Sequence, residues 1–344
     1  MTHTCTFSTS HGRRVALRTH ISRRVISTAA VSIAAALTLT ACGGSSDDDA
    51  DTASISLQNC GRTVTLDGPA ERAVTLNQGA TESALAIGAE GRMVGTAYLD
   101  DSIAPQWQAA YAQVPVLDEK DYPSREALLE TRPDLVFASY SSAFDDKAVG
   151  SHESFDELGI ATYVSPFACK DKSQRPRVAW DSIATEIIDY GTLFGRESEA
   201  DDVVAQMRAT LDRIESAAPA KGRTIFWYDS GTDTPYVGGN AGGPQLIIDA
   251  VGGTNVFADA DGAWLDGSWE TVLKANPDVI VLADASWDTA EAKKNHLRSD
   301  PALRDLTAVR DNAFVVVPFS ASTPGPRLIE GAAAVGEQLG GGRA

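Results

Sequence analysis

Aromatic side chains at the ends of predicted strands are the clearest candidates in this sequence for binding a ligand. Three tyrosines hold such positions: Tyr98 after the predicted strand 93–97, Tyr140 after 135–139, and Tyr228 at the end of 223–228. Ligands of open α/β sheets bind outside the carboxyl ends of the strands. Aromatic rings there offer apolar area with a polar handle, which suits a large, partly apolar ligand. For any one ring, ordinary packing is an equal alternative, so the prediction depends on recurrence in both halves of the chain.

Catalytic motifs are absent from the sequence. It has no Walker phosphate loop, Gly-x-Gly-x-x-Gly, His-Glu-x-x-His, Gly-x-Ser-x-Gly or Cys-x-x-Cys. The glycine-rich segment 238–243 has the wrong spacing for a nucleotide fingerprint, so we expect a loop at a cleft edge. Beyond residue 41 the only histidines are His152 and His296, too few for an all-protein zinc or manganese site. The sequence therefore predicts a protein that is not an enzyme and that holds no cofactor or metal of its own.

The charge balance narrows the class of partner. The 344 residues carry a formal charge of −18, and this falls to −23 without the five arginines of residues 1–41. Such a surface cannot neutralise phosphates, which argues against nucleic acid, and it does not favour adhesion to an anionic membrane.

Residues 1–41 have the organisation of an export signal, because five arginines precede an apolar run over 25–41. The end of that run, 39–42 (LTAC), resembles a bacterial lipoprotein cleavage box, which implies that Cys42 is lipidated and becomes the first mature residue. A plain secretory signal with an incidental cysteine is the alternative. An incomplete motif at 22–24 leaves a twin-arginine export route open. Residues 42–54 then form a flexible acidic tether, since their composition cannot pack a core.

Two of the four cysteines are candidates for a disulfide. Cys5 leaves with the signal and Cys42 carries lipid, so Cys60 and Cys169 remain. Two remaining thiols in an exported protein favour a disulfide, and two buried free cysteines are the alternative.

Two segments, 124–137 and 268–281, share one pattern at an offset of 144 residues. Each predicts a short helix capped by a serine, with a glutamate in the first turn, then a Pro-Asp break and a buried strand. The matched pairs are Ser124 and Ser268, Glu126 and Glu270, Pro133 and Pro277, and Asp134 and Asp278. The repetition predicts two α/β lobes of similar plan, and chance reuse of a common helix-to-strand joint is the alternative.

Alternation of strands and helices predicts a mainly parallel sheet in each lobe, covered on both faces. The expected fold is α/β, with two Rossmann-like lobes, 55–172 and 197–344, joined by a single long helical strut. Residues 175–218 show helical periodicity and no strand signal, so we place the bridging helix at 173–196. A helix of about 18 residues spans ~27 Å, enough to connect two lobes. One more surface helix is the alternative.

The order of export signal, tether, lobe, strut and second lobe resembles the substrate-binding lipoproteins of ABC importers for ferric siderophores, haem and cobalamin. The similarity covers about residues 56–339 and includes segments 74–82 and 88–95, both Ser-x-Glu…Pro-Asp patterns, 252–257 (GGTNVF), and Pro326-Arg327 before the last helix. It implies the class III periplasmic-binding-protein fold. In that family one glutamate on each lobe pairs with arginines of the permease, which implies this docking role for Glu126 and Glu270.

The resemblance also suggests the ligand. Cobalamin-binding members place aromatic residues at cleft positions that resemble Tyr98, Tyr140 and Trp264, but their tryptophan-rich cleft is only partly reproduced here, and no cleft histidine is evident to ligate haem. An iron-siderophore-type chelate is therefore the expected cargo, with haem or cobalamin as alternatives within the class. An extracytoplasmic enzyme or chelatase on the same scaffold is the alternative from another class.

The predicted site is a cleft between the lobes. Its expected ligand contacts are Tyr98, Tyr140, Tyr228, Trp264 and Arg327. Arg327 would pair with a carboxylate or phenolate of the ligand, and an interlobe salt bridge is the alternative for it. The expected partners are an ABC permease with its ATPase, for a monomer held by its lipid on the extracytoplasmic face of the membrane.

Overall fold

The computed structural model describes residues 54–341, in which two β-sheets are each flanked by helices. The strands of the N-terminal half are β1 (Ile55–Asn59), β2 (Arg62–Leu66), β3 (Ala73–Leu76), β4 (Met93–Ala97), β5 (Val116–Asp118), β6 (Leu135–Ala138) and β7 (Ala161–Val164). Its helices are α1 (Gln78–Ala86), α2 (Gln108–Tyr111), α3 (Arg125–Glu130) and α4 (His152–Asp156). Strands β3 to β7 form a parallel sheet in the order β5-β4-β3-β6-β7, beside an antiparallel hairpin of β1 and β2. We call this sheet with its helices the N-terminal lobe.

Two helices connect this lobe to the second sheet. They are α5 (Trp180–Phe194) and α6 (Glu197–Ala217). The chain turns between them at Gly195, whose φ of 59° lies in the left-handed region that favours glycine. A Cβ added there would lie 2.8 Å from the Pro69 ring, so this position also needs glycine for space. The connection is therefore helical, as predicted, but it consists of two helices.

The second sheet contains six strands. They are β8 (Thr224–Ser230), β9 (Tyr236–Gly238), β10 (Thr254–Asn255), β11 (Trp264–Asp266), β12 (Val279–Asp284) and β13 (Phe314–Pro318). The accompanying helices are α7 (Gly243–Ala250), α8 (Trp269–Ala275), α9 (Ala290–Ser299), α10 (Thr307–Arg310) and α11 (Leu328–Gly340). Strands β8, β12 and β13 are parallel, β10 pairs parallel with β8, and β9 and β11 add antiparallel edges. This C-terminal lobe completes the predicted α/β fold of two Rossmann-like units.

The repeated Pro-Asp pattern has the same structural role in both lobes. The Asp134 carboxylate accepts the backbone N–H of Arg72 at 3.0 Å, just before β3 begins. The Asp278 carboxylate accepts the backbone N–H of Thr224 at 2.7 Å, where β8 begins. In both lobes the residue before the proline is left-handed, with φ of 51° at Arg132 and 44° at Asn276. The offset of 144 residues therefore reflects one joint built twice, in which an aspartate fixes the start of the neighbouring parallel strand.

The serine caps differ between the two copies. Ser124 Oγ accepts the backbone N–H of Ala127 at 3.2 Å, as predicted. Ser268 makes no side-chain bond to α8, so the predicted second cap is wrong. Trp269 fixes this helix start instead, because its indole N–H donates to Thr232 O at 2.7 Å and its ring packs edge-on against Tyr228.

A disulfide joins Cys60 and Cys169, as predicted. It connects the β1–β2 turn to the segment after β7, and Asn59 strengthens this attachment. The Asn59 side-chain amide donates to Val164 O at 2.8 Å and accepts the Val164 backbone N–H at 3.0 Å. The hairpin is therefore held to the edge strand of the N-terminal sheet by covalent and polar links.

The export signal, Cys42 and nearly all of the 42–54 tether lie outside the described residues. Among the helices of residues 54–341, none has both the length and the apolar character needed to cross a bilayer.

Candidate ligand-binding cavity

A cavity of about 520 Å³ lies between the two lobes. Residues that follow β3, β4, β6 and β7 form one wall, so this wall is the carboxyl edge of the N-terminal sheet. Residues of β9, β11 and the segment after β13 form the opposite wall, and side chains of α5 contribute to the lining between them. This is the place where open α/β sheets bind ligands. Its volume falls within the range of small-molecule sites.

Aromatic rings and hydroxyl groups dominate the lining. The aromatic residues are Tyr140, Phe167, Tyr190, Tyr236, Trp264 and Phe319. The serines are Ser83, Ser139, Ser141, Ser142, Ser165 and Ser320. Such a surface offers apolar faces together with many neutral hydrogen-bond donors and acceptors.

Of the five predicted ligand contacts, Tyr140 and Trp264 line this cavity from opposite lobes. Tyr140 is 37% exposed, so its ring is accessible. The indole N–H of Trp264 is buried and makes no hydrogen bond of good geometry within the described residues, although it lies near enough to the Asp229 carboxyl to oppose the rise that burial causes in the pKa of that group.

Tyr98 and Tyr228 lie outside the lining. Tyr98 packs edge-on against Tyr122, with ring centroids 4.9 Å apart, and both lie near enough to Tyr140 to add to the rise that burial causes in the pKa of its hydroxyl. Tyr228 is 1% exposed, stacks on Phe226 at 5.7 Å and donates its hydroxyl to Gly231 O at 2.8 Å. Although Tyr228 lies on a strand that runs toward the cavity, its side chain belongs to the core of the C-terminal lobe.

Arg327 also lies outside the lining and connects the lobes. Its Nη1 donates to Glu82 Oε1 at 2.9 Å, to Ser102 O at 3.2 Å and to Ser320 Oγ at 2.5 Å. The Asp101 carboxylate lies 3.6 Å from the same nitrogen and accepts the Ser320 hydroxyl at 2.6 Å. Glu82 and Asp101 belong to the N-terminal lobe, so Arg327 forms the interlobe salt bridge that was its alternative role.

Three charged side chains line the cavity, and the sequence analysis selected none of them. They are Asp100, Arg175 and Glu186. Arg175 donates its Nε–H to Cys169 O at 2.7 Å, which anchors the guanidinium beside the disulfide. Burial, followed by the charge of Asp101, raises the pKa of Asp100 to about 6.

Glu186 is buried in α5, where Ser165 Oγ donates to its Oε1 at 2.5 Å. Burial raises the pKa of this carboxyl to about 7, although the hydroxyls of Ser165 and Tyr190 oppose the shift. A sequence signal for Glu186 existed, because it lies on the apolar stripe of α5, between Ile183 and Tyr190. A glutamate is rarely buried without a partner or a function, and its place in the cavity lining offers a function for Glu186.

The two histidines lie apart from the cavity lining. His152 stacks on Phe144 at 4.2 Å, and His296 lies near Trp269 at 5.6 Å. Over residues 54–341, the His, Cys, Asp and Glu side chains form no group of three or more that could hold a metal ion.

Comparison with known proteins identifies the family of this two-lobed structure. The family model described as "Periplasmic binding protein" matches residues 74–321, which span both lobes and the connecting helices. The chain belongs to this family. Among curated relatives of this periplasmic binding protein, a cobalamin-binding protein of Halobacterium salinarum is 26% identical over 277 residues, covering 78% of this chain and 69% of that protein.

A second relative is an uncharacterized ABC transporter substrate-binding lipoprotein of Bacillus subtilis, YvrC. It is 24% identical over 219 residues, covering 62% of this chain and 64% of that protein, so the match spans less than two thirds of the relative.

Solved structures agree with the fold. A periplasmic binding protein from Veillonella parvula superimposes with a TM-score of 0.72 at 27% identity, covering 85% of this chain and 99% of that one. A structure titled as an ABC-type Fe3+-hydroxamate transport system, from Saccharomonospora viridis, gives a TM-score of 0.69 at 27% identity, covering 83% and 99%. The predicted class III fold is therefore confirmed.

The two glutamates with an expected docking role occupy equivalent places in this periplasmic binding protein. Glu126 lies in the first turn of α3 and Glu270 in the first turn of α8. Both are exposed, and neither forms a salt bridge within the described chain. Their docking role stays a prediction.

Proposed function

We propose that this protein is an extracytoplasmic solute-binding protein that captures an iron-siderophore-type chelate and delivers it to an ABC permease. The observation that carries the proposal is the cavity between the lobes, to which Tyr140 and Trp264 contribute from opposite lobes in a lining rich in hydroxyl groups. A ferric chelate presents apolar arms around a shell of metal-bound oxygens, and both features match this lining.

Arg175 replaces Arg327 as the proposed partner of ligand oxygens. It is the only basic residue of the described lining, and its Nε is already held by Cys169 O. The terminal guanidinium nitrogens are then oriented for a carboxylate, phenolate or hydroxamate oxygen. Tyr140, Trp264 and Arg175 are thus the proposed ligand contacts. Tyr98 would not touch the ligand and would pack behind the lining residues.

The relatives support a metal chelate as the ligand, but they do not distinguish an iron chelate from cobalamin. The structure from Saccharomonospora viridis is described as an ABC-type Fe3+-hydroxamate transport system, and the relative from Halobacterium salinarum as a cobalamin-binding protein. We place an iron chelate first, and cobalamin or haem are the alternatives. Binding and release without chemical change are expected, and an enzyme or chelatase on this scaffold is the competing class.

The rest of the proposal concerns location and delivery. Cys42 is proposed as the lipid anchor, with residues 42–54 as a tether that lets the lobes reach a permease as a monomer. Glu126 and Glu270 are proposed to dock on that permease, whose separate ATPase drives import.

The deciding experiment is a titration of the purified protein with a ferric trihydroxamate, cobalamin and haem, followed by tryptophan fluorescence and calorimetry. We expect saturable one-to-one binding of the ferric chelate and recovery of the chelate unchanged by mass spectrometry. Tyr140→Ala and Trp264→Ala should each weaken binding by about 2 kcal/mol, because both remove a buried aromatic contact. Trp107→Ala, which removes a half-buried ring outside the cavity, is the matched control.

Each other outcome has a distinct meaning. Saturable binding of cobalamin or haem alone would replace the iron chelate by that alternative. Binding that both cavity variants leave unchanged would place the ligand elsewhere. Conversion of the chelate to a product would favour the enzyme, and failure of all three to bind would overturn the proposed class of cargo.

A further inference from the structure

Glu186 lies in the lining with an unused acceptor. Its side chain is 1% exposed and contributes to the cavity lining from α5. Oε1 accepts the Ser165 hydroxyl at 2.5 Å, whereas Oε2 is buried and has no hydrogen-bond partner within the described residues. A buried carboxyl oxygen that lacks a hydrogen-bond donor costs free energy, and the folded chain over residues 54–341 supplies no such donor to Oε2.

The groups around Glu186 do not neutralise it. On α5 it is followed by Asp189, whose charge adds to burial in raising the pKa of Glu186, and by Tyr190, whose hydroxyl opposes that rise. Asp189 in turn accepts the Tyr163 hydroxyl from β7 at 3.2 Å. In the cavity lining, the charged neighbours are Asp100 and Arg175. Arg175 forms no salt bridge with Glu186 in residues 54–341, so the lining holds two carboxyls and a single guanidinium.

We propose that Glu186 forms a subsite for a primary ammonium on the cargo, which would donate to its free Oε2. A cargo that binds here would be a ferric chelate with one cationic arm directed to α5, while its metal-bound oxygens lie toward Arg175 and the aromatic walls. An ammonium fits better than a neutral donor, because it supplies both the missing hydrogen bond and the missing counter-charge. This inference rests on the proposed function and adds the chemical class of the chelate arm.

The proposal has a pH signature. Burial raises the pKa of Glu186 to about 7, so a substantial fraction of the empty protein carries this carboxyl in its protonated form near neutrality. An ammonium pairs with the ionised form, so affinity should rise as pH increases from 6 to 8. Asp100, with its pKa raised to about 6, titrates in the lower half of this range, so the rise in affinity between pH 7 and pH 8 is the part that reports Glu186. Tyr163 and Tyr190 have pKa values raised well above the ordinary value by burial and stay protonated throughout.

The test uses two ferric chelates that differ in the arm. One is a linear ferric trihydroxamate that ends in a primary ammonium, and the other is its macrocyclic counterpart without the ammonium. Calorimetric titrations at pH 8 compare the wild type, Glu186→Gln and Asp189→Asn. Asp189 is the matched control, because it is a carboxylate on the same helix that does not line the cavity.

We expect Glu186→Gln to weaken the ammonium chelate at least about tenfold and to leave the macrocyclic chelate within about twofold. Asp189→Asn should bind both like the wild type. Equal losses for the two chelates, or none, would overturn the ammonium subsite while leaving the proposed function intact. If neither chelate binds to the wild type, the proposed cargo is overturned, and the subsite with it.

A measurement on the unmodified protein keeps the proposal testable if Glu186→Gln fails to fold. Titrations at pH 7, where Asp100 is largely ionised and Glu186 is about half protonated, in buffers of different ionisation enthalpy give the number of protons released on binding. Release of a proton with the ammonium chelate, and not with the macrocyclic one, supports the subsite. Equal proton release for the two chelates would contradict it.

Discussion

Glu82 and Arg327 are separated by 245 residues, yet Glu82 Oε1 accepts a hydrogen bond from Arg327 Nη1 at 2.9 Å across the interface between the lobes. Both side chains are largely buried, with exposed fractions of 2% and 10%. A buried pair is costly to break from one side, because the remaining charge loses its counter-ion without regaining water. The contact therefore fixes the lobes relative to each other beside the cavity.

Removal of Arg327 should affect stability more than ligand affinity. We expect Arg327→Met to lower the free energy of unfolding by about 3–5 kcal/mol, because it strands Glu82 without its partner. Affinity of the folded variant should change little, since Arg327 does not line the cavity. Urea unfolding and calorimetry measure the two effects, with exposed Arg304→Met as control. A stable variant that no longer binds would restore the ligand role first predicted for Arg327.

Glu82 should give stability a measurable pH dependence. Burial raises its pKa to about 7, against the opposing charge of Arg327. A carboxyl whose pKa is higher in the folded state binds its proton more tightly there than in the unfolded chain. Its stabilising contribution is therefore present at low pH and is lost as pH rises from about 4.5 to about 7.

We accordingly expect the loss of unfolding free energy between pH 5 and pH 8 to be smaller in Glu82→Gln than in the wild type. Urea unfolding across this range measures the slope, with Glu157→Gln as an exposed control. An identical slope in Glu82→Gln and the wild type would show that other groups carry the pH dependence.

The disulfide should contribute to both stability and binding. Cys60 and Cys169 are 109 residues apart, and the chain-entropy model gives roughly 4 to 5 kcal/mol for a loop of this size, as an upper figure. Because Cys169 O holds the Arg175 side chain, loss of the disulfide should also weaken ligand binding. The double variant Cys60→Ser with Cys169→Ser should unfold at lower urea and show no further response to reductant, whereas the wild type should respond. A wild type that reductant leaves unchanged would contradict this.

The repeated joint could be predicted from sequence because it is local. Its helix, Pro-Asp break and strand lie within 14 residues, and the proline that ends the helix and the apolar run that forms the strand can both be identified from residue type. The long-range contacts of Asp134 and Asp278 follow from strand order, since β6 pairs with β3 and β12 with β8. Alternation of strands and helices was likewise enough for the two sheets.

The cavity residues were harder to predict, because side-chain direction is a property of the assembled lobes. Tyr228 ends a strand as Tyr140 follows one, but its ring turns into a core with Phe226 and Trp269. Arg327 was predicted as a ligand contact from its place at the start of the last helix, and no local pattern showed its pairing with Glu82, which is 245 residues away. Glu186 carried a local signal, a carboxylate on a buried helical stripe, and needed only the structure to place it in the lining.

Arg175 should matter for anionic ligands in particular. Replacing it with Ala removes the only basic group of the described lining, so we expect the affinity for a ferric chelate with a free carboxylate to fall by about 2 kcal/mol. Arg175→Lys should recover only part of this loss, because an ammonium cannot form a two-pronged contact. Arg177→Ala, at an exposed position two residues later, is the control in calorimetric titrations. Unchanged affinity in Arg175→Ala would remove this residue from the proposed site.

Delivery to a permease should depend on Glu126 and Glu270. Each is exposed in the first turn of its helix, and the common joint places the two at equivalent positions on the two lobes. A carboxylate at a helix start is stabilised by the dipole by ~0.3–1 kcal/mol without any partner, so helix stabilisation alone would explain their presence. Two equally placed anions would also meet two basic sockets on a dimeric permease and fix the orientation of docking.

Charge reversal at both, Glu126→Lys with Glu270→Lys, should abolish uptake in cells while ligand affinity and unfolding free energy stay within about 1 kcal/mol of the wild type. The matched control reverses two other exposed glutamates, Glu157 and Glu215, and should leave uptake intact. If the first pair imports cargo as well as the control pair, the two glutamates serve their helices alone.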